Sequence, residues 1–259
     1  MTIDLQLTPI LEQLAMYVWP FVRVGAFLMV MPVVGGSFVP LKVRLILAVA
    51  LTGVIAPVIP IASTPEVLSV AGLVTMTQEI AIGVMLGFLV QLVFDAIALG
   101  GQVIGMSMGL GFAVFLDRAR GVNIPVLGQL FLMLGMLVFL AMDGHLAMIQ
   151  LLAKSFQTWP LAANNFSETI LSEVLTWTRQ LFVFAIKIAL PAITAILVVN
   201  LAFGTMSRAA PTLNLFAVGF PVAMLSGFAV IFLNMAVLQE NVQAFLSASL
   251  AAIAALLEM

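Results

Sequence analysis

Four ionisable residues stand in apolar surroundings: Arg23, Glu79, Asp95 and Lys187. Charge in hydrocarbon is expensive, so each is a candidate for moving ions or protons, for pairing with another helix, or for snorkelling to an interface. Glu79, preceded by Gln78, is the most isolated carboxylate. Glu79 and Asp95 are sixteen residues apart, ~160° around a continuous helix at about 100° per residue. They do not share a face, which disfavours a two-carboxylate ion site on one helix. Pairing with a base on a different helix is the plainer reading.

Other chemistry is poorly provided for. His145 is the only histidine and stands beside Asp143 in an Asp-Gly-His run that reads as a solvated turn. A metal site needs several converging ligands, and no such group is evident. There is no cysteine, which removes disulfides, thiolate ligands and thiol nucleophiles. No Ser/His/Asp arrangement stands out, and Gly100-Gly101-Gln102 lacks the lysine of a phosphate-binding loop. No cofactor and no enzymatic activity are expected.

Small and flexible residues form the other pattern. Gly101, Gly105 and Gly109 recur at helical spacing, as do Gly83 and Gly87. In lipid, glycine brings backbones close where apolar burial gives no net drive. Such faces serve packing within one bundle or docking against neighbouring subunits. Gly105, Met106, Met108, Gly109, Gly111, Phe112 and Phe115 crowd into one segment, a composition that weakens a helix. Methionine fills irregular gaps, so the segment reads as a kinked helix or as a deformable apolar constriction. Asn200, Gly204, Arg208, Pro211 and Asn214 form a last cluster. An amide at Asn200 is expected to bond across to a neighbouring helix, and Gly204 and Pro211 are expected to break the helix around Arg208.

The elements that carry these residues must live in a membrane. The chain of 259 residues is 64% hydrophobic and 8% charged, with a mean hydropathy of +1.27. Soluble domains carry roughly 25% charged residues. Val24–Leu41, Leu45–Pro65, Ala96–Leu116, Gly121–Met142, Ile188–Ser207 and Ala209–Gln239 contain no ionisable residue. Continuous apolar runs of this kind favour helices over the alternating pattern of a barrel. The expectation is an all-α polytopic membrane protein, one membrane domain over residues 1–259 with about six or seven hydrophobic helices. A first helix is expected from about Leu11 to Met31, ending at Pro32, and helix in two pieces from about Val67 to Phe115. The start, Met-Thr-Ile-Asp-Leu, lacks the basic region of a cleavable signal peptide, so the first apolar stretch is expected to remain as an anchor. A net charge of −2 offers nothing to nucleic acid. Basic residues fall in connections on both sides of a seven-helix count and give no orientation. A chain whose helices do not all cross the bilayer would behave this way.

Taken in order, the motifs resemble the FliR family of flagellar export-gate proteins. The resemblance rests on Arg23-Val-Gly25 with Pro32 and Gly35, and on Gln78-Glu79 with Gly83 and Gly87. It continues through Gly101-Gln-Val-Ile-Gly105-Met-Ser-Met-Gly109-Leu-Gly111-Phe112-Ala113 and Asp143-Gly144-His145. It closes on Ala189-Leu-Pro191, Asn200-Leu-Ala-Phe-Gly204, Arg208, Pro211, Asn214, Phe216 and Gly219-Phe-Pro221. It departs at Asp117, which Arg118 follows where the family often has proline.

The resemblance implies a subunit of the type III export gate in the bacterial inner membrane at the flagellar basal body. One copy would assemble with several copies of two smaller hydrophobic partners into a closed helical complex. The chain would form kinked helical hairpins partly raised from the bilayer, in contact with lipid and with unfolded flagellar proteins in transit. It implies that a central loop, about residues 105–123, plugs the pore through Gly105, Met106, Met108, Gly109, Gly111, Phe112 and Phe115. Arg23, Glu79, Gly83, Gly87, Gly101, Asn200 and Arg208 are the candidates for packing and polar contacts. A virulence-injectisome homologue would share this fold with different cargo. A small-solute or ion transporter would need charges converging near the midplane and usually a repeat, neither of which is evident.

Overall fold

The computed structural model describes residues 7–36, 38–59, 69–111, 126–161, 168–209 and 215–259. Among them are eight α-helices and no strand. They are α1 (Leu7–Val30), α2 (Leu41–Ile55), α3 (Val70–Ser107) and α4 (Val126–Ala141), followed by α5 (Gly144–Thr158), α6 (Glu168–Ala209), α7 (Leu215–Leu233) and α8 (Met235–Leu257). Helix is the local solution that satisfies every backbone N–H and C=O without water. Four segments are long and apolar enough to cross a membrane: Leu41–Val58, Val70–Ser107, Thr169–Met206 and Met235–Leu257. The pair α4 and α5, joined through Asp143, whose φ is +55°, would count as a fifth if taken as one span. The protein is an all-α polytopic membrane protein.

Two helices are much longer than a bilayer requires. α3 has 38 residues and α6 has 42, which at ~1.5 Å per residue is roughly 57 and 63 Å, against a hydrocarbon core of about 30 Å. α3 is continuous through Glu79 and the glycines rather than split in two. Its carboxylate is neutralised by a partner, and its glycines are enclosed by neighbouring helices, so neither interrupts it. α6 likewise runs through Gly204 to Ala209. A glycine in a helix costs about 1 kcal/mol, which good helix formers such as Leu201, Ala202 and Met206 outweigh. The Pro211 part of that cluster lies outside the described residues.

The chain divides into two compact units, Met1–Gln91 with Asp143–Thr176 and Ala248–Met259, and Leu92–Met142 with Trp177–Ser247. In the first unit α1 packs on the N-terminal half of α3. A Cβ at Gly83 would collide with the Arg23 carbonyl and lie 2.9 Å from Ala26 Cβ, and one at Gly87 would sit 3.1 Å from Phe27 O and Val30 Cβ. Small residues here let two backbones touch. The Ser249 hydroxyl of α8 donates to Leu89 O of α3 at 3.2 Å. After α1, Arg44 donates to Val39 O at 3.1 Å and to Gly36 O.

In the second unit the C-terminal half of α3 meets α4. A Cβ at Gly101 would lie 2.8 Å from Leu127 O and 3.0 Å from Phe131 Cβ, and one at Gly135 would lie 3.0 Å from Ile97 Cδ1. Phe94 and Phe139 pack edge to face at 5.4 Å. Phe245 of α8 stacks between Trp177 and Phe184 of α6, at 5.7 and 3.8 Å.

Candidate functional site: a buried ion-pair frame and a glycine turn

The first unit is built around Arg23, which has no exposure to solvent. Its guanidinium forms a fork with Glu79, Nε donating to Oε2 at 2.6 Å and one terminal nitrogen to Oε1 at 3.0 Å. That nitrogen also donates to Trp159 O at 3.0 Å, and the other donates to Ser155 O at 2.9 Å and Ser155 Oγ at 3.1 Å. Arginine has five N–H donors, and these five bonds use them all. The Phe156 ring lies 4.2 Å from the guanidinium carbon. Ser155 and Trp159 close the C-terminal end of α5, where the helix dipole is negative; Ser155 O also accepts from Trp159 N at 2.9 Å. The cluster therefore ties α1, α3 and α5 through one charge. Glu79 is 1% exposed and is held in a bidentate pair, an arrangement suited to fixing helices.

The second unit carries the glycine-rich segment. α3 ends at Ser107. Gly109 N donates to Met106 O and Leu110 N to Gly105 O, both at 3.0 Å, the paired bonds of a helix C-cap with a left-handed residue. Gly109 takes that conformation at φ +82°, which glycine adopts without steric cost. Gly109 therefore leaves the face shared by Gly101 and Gly105, contrary to the helical spacing. Both of those still point to α4, with a Cβ at Gly105 3.4 Å from Leu127 Cβ.

The turn is seated on α7. A Cβ at Gly109 would lie 2.6 Å from Phe220 Cε2, and one at Gly227 would lie 2.5 Å from Met108 Cγ and 2.7 Å from its sulfur. Met108 is fully buried, whereas Met106 is 62% exposed. Among the described residues, the would-be Cβ of Gly111 has Met106 Cγ nearby, at 3.8 Å. Phe112 and Phe115 lie outside the described residues. Gly227 was not singled out by sequence reasoning; its signal is a lone glycine midway through the apolar α7 run.

The remaining candidates are placed differently. Gly83, Gly87 and Gly101 face helices of the same chain. Asn200 and Arg208 are exposed on α6, so Asn200 bonds across to no described helix. His145 is the second residue of α5, half-buried rather than solvated, and its Nδ1 is buried without a hydrogen-bond partner among the described residues. Asp95 and Lys187 are exposed, and Asp95 has an interaction of its own. Among the described residues no three His, Asp or Glu side chains group as metal ligands.

Residues 14–249 match the family described as bacterial export proteins, family 1. The chain belongs to this family. Members include the flagellar biosynthetic protein FliR of Pectobacterium carotovorum subsp. carotovorum, 41% identical over 211 residues, covering 82% of this chain and 80% of the relative. FliR of Escherichia coli strain K12 is 38% identical over 217 residues, covering 84% and 83%. FliR of Aquifex aeolicus is 29% identical over 216 residues, covering 83% of each. The family match spans Arg23, Glu79, the glycine turn and its α7 seat.

Proposed function

We propose that the chain is a subunit of the flagellar type III protein export gate, in the bacterial inner membrane at the flagellar basal body. It contributes to the pore for unfolded flagellar proteins and assembles, in one copy, with smaller hydrophobic gate subunits. Family membership and the flagellar relatives support this reading, and the polytopic helical fold agrees with it.

The observation that carries the gating part is the seat of Met108 against Gly227, with Gly109 against Phe220. The plug is the segment from Gly105 onward, with Met106, Gly111, Phe112 and Phe115. An apolar plug blocks ions by keeping a constriction dry. A plug must also part for a chain and close again. Gly109 supplies a backbone pivot, and methionine re-forms contacts with a changed surface. The Arg23 frame stays fixed while this happens. Energy for export comes from other components, since this chain supplies positioning and a barrier.

A cysteine pair, Met108→Cys with Gly227→Cys, tests the reading. The sequence has no cysteine of its own, and a Cβ at Gly227 would lie 2.5 Å from Met108 Cγ, so cysteines at the two positions would adjoin. Oxidation is expected to cut secretion of flagellar proteins at least ten-fold below that of the same double variant when reduced, with recovery on reduction and no oxidation-dependent change in either single variant. Full export through a quantitatively cross-linked pair would remove the plug assignment and leave the family membership standing.

A further inference from the structure

Lys187 divides α6 into unlike halves. The residues before it include Glu168, Glu173 and Arg179, whereas Ile188–Ser207 contain no ionisable side chain, and Arg208 follows. The twenty residues between the two bases rise ~30 Å at about 1.5 Å per residue, the thickness of one hydrocarbon core. α7 covers nearly the same length. Its 19 residues, Leu215–Leu233, carry no charge and rise ~28 Å. They end at Asn234, with Gln239, Glu240 and Asn241 soon after. Lys187, Asn234 and Asn241 line one cleft, so the basic end of the α6 span and the polar end of the α7 span lie at one level. Two apolar spans of bilayer thickness with coincident polar ends put Lys187 at the edge of the hydrocarbon. A long basic side chain there reaches the headgroups, whereas at the midplane its charge would be costly.

The cleft is equipped for an oxyanion. Its volume of about 40 Å³ suits the oxygens of one phosphate. Lys187 is the only charged residue lining it, and no carboxylate lines it. The side chains of Lys187 and Asn241 make no ion pair or hydrogen bond among the described residues. Asn234 donates one amide N–H to Val230 O at 2.9 Å and keeps a second. A cation and two amides therefore line a space that holds no anionic acceptor. Beyond the cleft, Leu190, Leu197, Val198 and Leu201 are exposed. They lie within ~80° of Lys187 around the helix at about 100° per residue, and they run toward Arg208, into the bilayer.

We propose that the Lys187–Asn234–Asn241 cleft binds the phosphate of an anionic phospholipid, whose acyl chains lie along α6 toward Arg208. The inference needs only the polytopic membrane fold and stands apart from the export reading. Charge complementarity and the level of the cleft select the occupant. Phospholipids present a phosphate at the edge of the hydrocarbon, and the apolar residues beside Lys187 distinguish a lipid from free phosphate. One unmatched cation favours a lipid of net negative charge.

Two measurements on the full chain test this. First, spin labels are placed singly at Val183→Cys, Leu190→Cys and Leu197→Cys, in vesicles of phosphatidylglycerol and phosphatidylcholine. Accessibility to oxygen against a water-soluble nickel chelate gives their depth. Leu197 should be the deepest and Val183 should lie among headgroups or water. A maximum between Val183 and Leu190 places Lys187 at the midplane and overturns the proposal. Second, bound lipid is counted by mass spectrometry of the intact protein in detergent, with phosphatidylglycerol or phosphatidylcholine added. Wild type should prefer the first phosphatidylglycerol by about five-fold or more. Lys187→Gln should lose that preference, while Lys187→Arg keeps it. Lys42→Gln, which removes another exposed base, should keep it too. A preference unchanged in Lys187→Gln overturns the proposal, and a loss shared by Lys42→Gln does so by reducing it to general surface charge. Displacement of phosphatidylglycerol by equimolar inorganic phosphate makes this a free-phosphate site, and a photo-crosslinker at Leu190 that captures protein and no lipid in the native membrane makes the occupant a protein; either overturns it. Should Lys187→Gln not fold, Asn241→Leu carries the test by removing donors and keeping the charge. Its preference should fall about two-fold or more, and an unchanged value overturns the proposal.

Discussion

The Arg23 frame and the Gly109 turn solve opposite problems with opposite materials. The frame joins three helices through a charge whose five donors are all used. Each bond has one geometry, and losing any of them strands a polar group in a dry interior. The turn is joined to α7 by a methionine against a glycine and by a glycine against a ring. Those contacts have no directional partner and can break and re-form at little cost. One region is built to hold its shape, and the other is built of contacts that tolerate change.

The contrast is most sharply broken at Glu79. Replacing Glu79 with Ala leaves Arg23 buried and unpaired, an effect of about 3–5 kcal/mol. The expected outcome is loss of detergent-stable protein, read as a fall in melting temperature or in membrane yield. Glu79→Gln keeps an acceptor and is expected to fall between. Arg23→Lys is expected to be nearly as damaging as Glu79→Ala, because one ammonium cannot supply a planar fork and two carbonyl contacts. Near-native stability of Glu79→Ala would mean that the frame is not what fixes α1, α3 and α5.

The turn comes next in size, and its effect should appear in function before stability. Gly109→Val forces a branched residue into the left-handed region and against Phe220, costing roughly 1–3 kcal/mol. The chain should still accumulate and assemble while secretion of flagellar proteins falls at least ten-fold. Met108→Leu is milder, below about 1.5 kcal/mol, and sharpens the point. It preserves volume and loses flexibility, so secretion should drop while resting ion permeability stays low. Equal secretion by Met108→Leu and wild type would indicate that filling the Gly227 seat matters and methionine's adaptability does not.

These two regions were not equally legible from sequence. Arg23 and Glu79 stood out because charge is rare here, yet 56 residues separate them, and only the packing of α1 on α3 brings them together. Gly83 and Gly87 carried the hint, since they permit that packing. Their spacing is equally consistent with docking another subunit, and the difference lies in which helix occupies the face. The turn was readable as a weak segment but not as a cap, because Gly101, Gly105 and Gly109 fit one helix face until the chain leaves it. Met106 and Met108 show the limit most plainly. They are identical in type and two residues apart, and one is 62% exposed while the other is fully buried. The direction of the chain after Ser107 decides between them, and composition does not encode it. The continuity of α3 was hidden for a related reason: glycine and charge read as breaks until a neighbour encloses them, whereas in α6 the open Gly204 is carried by the helix formers around it.

The smallest effect is expected at a second ion pair among the described residues of the first unit. Lys154 of α5 donates to Glu258 Oε1 at 2.8 Å, close to the frame's own distances, but their side chains are 40% and 67% exposed. The hydrogen bond from Lys154, and then its charge, hold the Glu258 carboxyl below the usual carboxylate range. A carboxylate lowered by folding stabilises the native state above its unfolded pKa, and the contribution vanishes as pH falls through the folded value. Water and salt screen such a pair. Glu258→Gln should therefore lower the melting temperature only slightly at neutral pH and low salt. The difference should disappear in strong salt and again under acid conditions that protonate Glu258. Glu79→Ala should be almost indifferent to salt. A Glu258→Gln loss as large and as salt-resistant as that of Glu79→Ala would show that burial, and not the presence of an ion pair, is the wrong distinction to draw between these two contacts.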